Sequence, residues 1–188
     1  DGWAGRMAEV ALRVLETERL ALRWLDAADA GFVLELVNDP DWLRYIGDRG
    51  IRSIDAAREY IDGLRAMYAR LGFGLYLVEL KGTDTALGIC GLIKRDWLED
   101  VDLGFALLAR FRGNGYACEA ASATLDYAET EMGLRRVAAI VSPENHGSRR
   151  LLARLDMRFE RAVHPPLDPN AVCLYACTRS DSTAEAPC

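Results

Sequence analysis

The run Leu107-Leu108-Ala109-Arg110-Phe111-Arg112-Gly113-Asn114-Gly115-Tyr116-Ala117 continues into Cys118-Glu119-Ala120-Ala121 and joins an apolar strand to a helix through an arginine- and glycine-bearing turn. No other stretch constrains the chain as much, because this junction reads as a phosphate cradle. Gly113 and Gly115 let the backbone take angles that a side chain forbids and leave room for close approach, so successive N–H groups can converge on one anion. The helix beginning near Tyr116 adds unpaired amides and the positive end of its dipole. These contribute about 0.3–1 kcal/mol for a negative charge, up to roughly 2 where partly buried. Arg110 and Arg112 read as mobile positive charge beside it. A dinucleotide fingerprint would need a third glycine where Cys118 stands, and a nucleoside-triphosphate loop would end G-K-[ST], whereas this turn holds no lysine.

Around the cradle the hydrophobic pattern predicts one α/β domain over residues 14–178, with no internal repeat or low-complexity linker. A strand over Val14 to Trp24 leads to a helix over Ala27 to Val37. A loop rich in large residues (Trp42, Arg44, Tyr45, Ile46) follows, then a helix over Ile54 to Arg70 with Ser53 and Asp55 at capping positions. Gly74 to Leu80 and Ala86 to Lys94 read as a hairpin across Lys81-Gly82-Thr83-Asp84. Strands over Val101 to Leu108 and Arg136 to Val141 flank the helix of the cradle, whose Ala117, Ala121, Thr124, Leu125, Ala128 and Met132 recur at helical spacing. A helix over Asn145 to Leu155 and strands over Arg158 to Val163 and Ala171 to Thr178 close the domain. Residues 1–13 read as an N-terminal extension, the first six an expression remnant or late-start artefact before Met7, and residues 179–188 as a flexible polar tail.

At 188 residues, 51% hydrophobic and 28% charged, the chain suits one well-buried domain. No apolar run approaches the roughly 20 residues of a membrane span, and no signal-peptide pattern is present, so a cytoplasmic protein is expected. The five scattered cysteines fit reduced thiols, and without C-x-x-C or spaced histidines no metal site is expected. A net charge of −6 argues against nucleic acid as a partner and, where it is more than a device for solubility, favours cationic acceptors such as amines. An anionic ligand would then require segregated charge, which the pairs Arg110/Arg112, Arg135/Arg136 and Arg149/Arg150 supply.

Several residues near the cradle can carry chemistry. Alternation puts Asp102 on one strand face with the small Gly104 and Ala106, where a carboxylate lines space. It can take a proton from an ammonium, anchor that ammonium, or serve only as a solvated strand acid. Asn145 reads as an N-cap, and Ser148 stands three, four and seven residues before Leu151, Leu152 and Leu155, on the buried stripe of its helix. Cys118, in the first turn of the cradle helix where the dipole can lower a thiol pKa, is a candidate nucleophile. Tyr116 and Glu119 read as structural.

The pattern R-x-x-G-x-G from Arg110 to Gly115 followed by Y-A-x-E-A resembles the acetyl-coenzyme A pyrophosphate loop of the GNAT N-acetyltransferase superfamily, most closely its ribosomal-protein N-terminal (alanine/serine) acetyltransferase-like branch. Leu15-Glu16-Thr17-Glu18-Arg19-Leu20-x-Leu22-Arg23, Asp102-Leu103-Gly104-Phe105 and Asn145-x-x-Ser148 extend the likeness to residues 14–178. The resemblance implies a central mixed, mostly antiparallel sheet of about seven strands, splayed between strands 4 and 5 and flanked by about four helices. It implies acetyl-CoA as cosubstrate, held by Phe105, Ala106, Leu107, Arg110, Arg112, Gly113, Asn114, Gly115, Tyr116, Ala117, Asn145 and Ser148. Asp102 matches the acidic base of these enzymes, more often glutamate there, and its shorter arm points to a water relay. Ser148 matches a residue near the coenzyme sulfur that can protonate the leaving thiolate. Trp42, Tyr45 and Trp97, with Asp102, are the expected acceptor contacts. The implied reaction is direct acetyl transfer to a primary amine, preferably a peptide or protein N-terminal α-amine, by a monomer or homodimer. Alternatives are a small-molecule amine acceptor (polyamine or aminoglycoside) and a non-catalytic acyl-CoA-binding protein, which would bind coenzyme without turnover. A nucleotide-phosphate-binding module would instead bind ATP without competition from CoA.

Overall fold

The computed structural model describes residues 13–166 and 168–179, so the expected extension and tail lie almost wholly outside the described residues. Eight strands form one sheet in the order β1-β2-β3-β4-β5-β6-β8-β7. They are β1 (Arg13–Glu16), β2 (Leu20–Arg23), β3 (Leu75–Leu80), β4 (Ala86–Ile93), β5 (Val101–Leu107), β6 (Arg136–Val141), β7 (Arg158–Val163) and β8 (Val172–Thr178). The helices are α1 (Ala30–Val37), α2 (Pro40–Tyr45), α3 (Ile54–Leu71), α4 (Tyr116–Thr130) and α5 (His146–Arg154).

Two elements differ from the sequence reading. The expected strand over Val14 to Trp24 is broken into the antiparallel pair β1 and β2, which raises the strand count to eight. The turn between them is pinned from outside: the Thr17 hydroxyl donates to Glu119 of α4 at 2.5 Å, and the Arg19 backbone N–H and Nε donate to the same carboxylate at 3.0 and 2.7 Å. The stretch around Trp42 is helical instead of a loop. Asp39 caps α2 by accepting from the Asp41 N–H at 3.0 Å, and Pro40 occupies the first turn, where its missing N–H costs nothing.

The remaining helices follow their caps and periods. Ser53 accepts from the Ala56 N–H to start α3, Gly72 at φ 77° ends it, and Ala57, Ile61, Leu64 and Tyr68 form its buried stripe. Ala120, Ala121, Thr124, Leu125 and Ala128 of α4 are buried against the sheet, where the Thr124 hydroxyl lies 3.5 Å from the Cys90 thiol of β4. With helices on both faces, Leu75 to Val78 and Leu87 to Leu92 are buried whichever way they point.

One junction in this sheet is weak. β4 and β5 pair along six residues, but the parallel strands β5 and β6 meet only at Val101↔Val137 and Asp102↔Ala138 and then part. All other neighbours are antiparallel. The expected splay is therefore present, between β5 and β6, because the broken first strand advances the numbering by one.

Candidate active site: a cleft where the sheet parts

The parting opens into a cleft of about 560 Å³. Phe105, Ala106 and Leu107 of β5 form one wall, Asn145, Ser148 and Leu151 at the start of α5 the other, and the buried Trp42 and the half-buried Tyr45 of α2 line it too. Arg112, Gly113, Gly115, Tyr116 and Ala117 of the predicted cradle line it as well. Gly113 and Gly115 both sit at φ 81°, a conformation that L side chains rarely adopt, and a Cβ at Gly113 would meet nothing within 4 Å. The loop is thus shaped for backbone, with open space in front of it. Gly115 caps α4 without any side-chain bond. Among the described residues no oxygen accepts from the amides of Gly113, Asn114, Gly115, Tyr116 or Ala117, so this helix start keeps its donors for a ligand.

The arginines of the loop are not mobile charge. Arg110 pairs with Glu35 of α1 and lies outside the cleft lining. Arg112 donates to the Leu107 carbonyl at 2.9 Å, to Asp39 at 2.8 Å and to Asp41. Asp39 is the center of this clamp. Its buried carboxylate also accepts from the Asp41 and Ala109 amides, and these contacts hold it below the usual carboxylate range in spite of burial. Asn114 also faces away from the cleft, its carbonyl taking a hydrogen bond from Arg19 at 3.0 Å, while the Arg19 guanidinium lies 4.6 Å from the Tyr116 ring centre. Glu119, paired with Arg19, is structural as expected.

On α5, Asn145 caps the helix by accepting from the Ser148 N–H at 3.0 Å. Ser148 is half-buried, and Leu152 and Leu155 are buried beneath it. Cys118 is buried and belongs to the cleft lining.

Asp102 stands at the apex of the parting and does not line the cleft; it is 1% exposed. Cross-strand partners share a face, and Cys90, partner of Phe105, faces α4, so Asp102, Gly104 and Ala106 face the other side of the sheet. Its Oδ2 accepts from Arg95 Nε at 2.7 Å and its Oδ1 from the Ile140 N–H at 3.1 Å. Ile140 lies two residues beyond the last β5–β6 pair, so the carboxylate extends the ladder just where it fails. Burial pushes the Asp102 carboxyl up to about 6, with Arg95 and the Ile140 amide opposing that rise.

Trp97 lies apart from the cleft. With Leu98 and Leu174 it lines a second cavity of about 580 Å³ over the β6–β8–β7 part of the sheet. Among the described residues no group of His, Cys, Asp and Glu side chains could hold a metal ion, and no helix is long and apolar enough to cross a membrane.

Sequence reasoning passed over Glu35, Asp39 and Asp41 as partners of the cradle and Arg19 as its brace. The pair Asp39-Pro40 carries a helix-start signal that would have flagged α2.

A mostly antiparallel sheet that parts at a single parallel junction, beside a helix start with unspent amides, defines an acyl-CoA-dependent acyltransferase architecture. Residues 19–158 match the family model described as an acetyltransferase (GNAT) domain, and the chain belongs to this family of N-acetyltransferases. It is 31% identical to the uncharacterized protein YkkB of Bacillus subtilis, over 84% of this chain and 92% of that protein. An acetyltransferase structure from Agrobacterium tumefaciens is similar at a TM-score of 0.76 and 26% identity, covering 88% of this chain and 94% of that one. Mycobacterium smegmatis RimJ in complex with CoA-disulfide is similar at a TM-score of 0.72 and 25% identity, covering 85% and 81%.

Proposed function

We propose that this protein transfers the acetyl group of acetyl-CoA to a primary amine in a ternary complex, and that the preferred acceptor is a peptide or protein N-terminal α-amine. The observation that carries the reading is the row of unpaired amides from Gly113 to Ala117, opening onto a cleft that runs to the parting of the sheet. These residues fit a pyrophosphate: left-handed glycines, open space before Gly113 and a 15-residue helix whose positive end faces the cleft. Phe105, Ala106 and Leu107 would flank the pantetheine arm, with Asn145 and Ser148 opposite. Acetyl-CoA supplies an activated thioester carbonyl.

The chain's own part is to orient and to move protons. An ammonium must lose a proton before its nitrogen can attack, and a carboxyl near 6 takes that proton near neutral pH. Asp102 is too buried to touch a bulky acceptor, so the proton reaches it through water. The Ser148 hydroxyl can donate to the departing sulfur. That help is small, since a thiol of pKa about 8.5 leaves readily as thiolate. The N-terminal acceptor is supported by the resemblance of the Arg110 to Ala121 pattern to the ribosomal-protein branch.

The test is calorimetric titration with acetyl-CoA followed by thiol-release assays on N-terminal peptides, polyamines and aminoglycosides. Binding with turnover on peptides supports the reading. Turnover confined to polyamines or aminoglycosides would replace the acceptor, and absence of acetyl-CoA binding would overturn the whole assignment.

A further inference from the structure

We propose that the amine acceptor carries a carboxylate next to its amine, and that Arg95 receives it. The inference rests on the acetyl-transfer reading for the identity of the site, and takes its substrate chemistry from the charges around Asp102. An acid at the apex would by itself attract a polycation. Here it arrives already neutralised, because Arg95 Nε holds Oδ2 at 2.7 Å. That contact uses one of the five N–H donors of a guanidinium. Among the described residues neither terminal nitrogen of Arg95 has an acceptor, and the side chain is 27% exposed, so its fork opens on solvent beside the buried carboxylate.

The cradle arginines differ: Arg110 and Arg112 each carry a carboxylate from α1 or from the start of α2. With Asp102 already paired, a polyamine or aminoglycoside meets no free carboxylate at the apex, whereas the two unbonded nitrogens of Arg95 form a planar fork suited to a bidentate grip on a carboxylate. An α-amine one residue from an Asp or Glu side chain, or the amine of a free amino acid, has this chemistry.

The experiment measures, by calorimetry on the CoA-loaded protein, binding of the peptide amides Ala-Asp-Ala-Ala, Ala-Asn-Ala-Ala and Ala-Lys-Ala-Ala, and of alanine against alaninamide. Thiol release from acetyl-CoA is followed in parallel on the same acceptors. The aspartyl peptide is expected to bind about tenfold more tightly than the asparaginyl one, with the lysyl peptide weakest. A preference shown only by alanine over alaninamide would identify a free amino acid as the source of the carboxylate. Arg95→Gln should shrink the preference severalfold. Equal binding of charged and neutral partners in both pairs, or a preference for lysine, overturns the inference even where thiol is released. A carboxylate preference without thiol release on any acceptor upholds it and sinks the acetyl-transfer reading instead.

Discussion

Replacing Asp39 tests whether the clamp behind the cradle holds both the fold and the coenzyme site. The carboxylate caps α2 through the Asp41 amide at 3.0 Å and holds Arg112 at 2.8 Å. Loss of a cap costs about 0.5–2 kcal/mol, and loss of a hydrogen bond to a charged group about 1.5–3. The two overlap, and Arg112, 37% exposed, keeps Asp41 and the Leu107 carbonyl, so Asp39→Ala should cost about 2–3 kcal/mol. In a domain of this size that lowers Tm by roughly 5–10 °C. Asp39→Asn keeps a competent cap and loses only the charge, so it should cost about half as much. The pH dependence follows from the sign of the shift. A carboxyl held below its ordinary 3.8 contributes stability that is present above that pH and lost as the pH falls through its folded value. The gap between parent and Ala variant should therefore be widest near neutrality and close below pH 3.8. Acetyl-CoA affinity should fall about tenfold in Asp39→Ala and less in Asp39→Asn, because residues 109–112 lose one of their anchors. Thermal melts between pH 3 and 7 with calorimetric titration check all of this. Two variants indistinguishable from the parent, or from each other, would refute the reasoning.

Gly113→Glu should abolish acetyl-CoA binding while the protein stays folded, because the φ of 81° disfavours any side chain and the new carboxylate would occupy the open space before the amides; calorimetry and circular dichroism separate the two effects. The kcat/KM of the parent should rise with pH through a limb near 6, the value to which burial lifts Asp102, and Asp102→Asn should lose that limb and be partly rescued where free amine is abundant. Rate lost equally at every pH would mean that Asp102 anchors the ammonium instead. Leu152→Ala, at a site 1% exposed beneath Ser148, should cost about 2–5 kcal/mol, measured by urea unfolding.

What the sequence made legible is what local spacing encodes. Gly113 and Gly115 declared a backbone cradle, and Leu151, Leu152 and Leu155 declared the buried side of α5, because both are patterns within one element. Partners distant in sequence were not legible. Arg112 read as mobile charge because its acceptors Asp39 and Asp41 lie some seventy positions away. Val14 to Trp24 read as one strand because its break at Thr17 is made by Glu119, a hundred residues on. Trp97 read as an acceptor contact from its place before β5, yet its ring packs with Leu98 and Leu174 in the second cavity. The parting itself leaves no local trace, since it depends on how few pairs β5 and β6 make.

That parting gives Asp102 a structural duty that precedes any chemistry. When two strands separate, the inner N–H groups beyond the last pair lose their acceptors, and a buried one left unmade costs about 1–3 kcal/mol. Ile140 is in that position, and Asp102 Oδ1 fills it at 3.1 Å. The same atom that stabilises the open sheet therefore belongs to the group best placed to accept a proton at its apex. Both duties act on one pKa in opposite senses to burial: the Ile140 amide and Arg95 pull the carboxyl down while desolvation lifts it, and the balance falls near 6. A longer glutamate would reach past Ile140 and leave that amide to find another partner. The short aspartate closes the ladder, so in this chain the integrity of the parting and the pKa of the carboxyl at its apex are set by one side chain and its two donors.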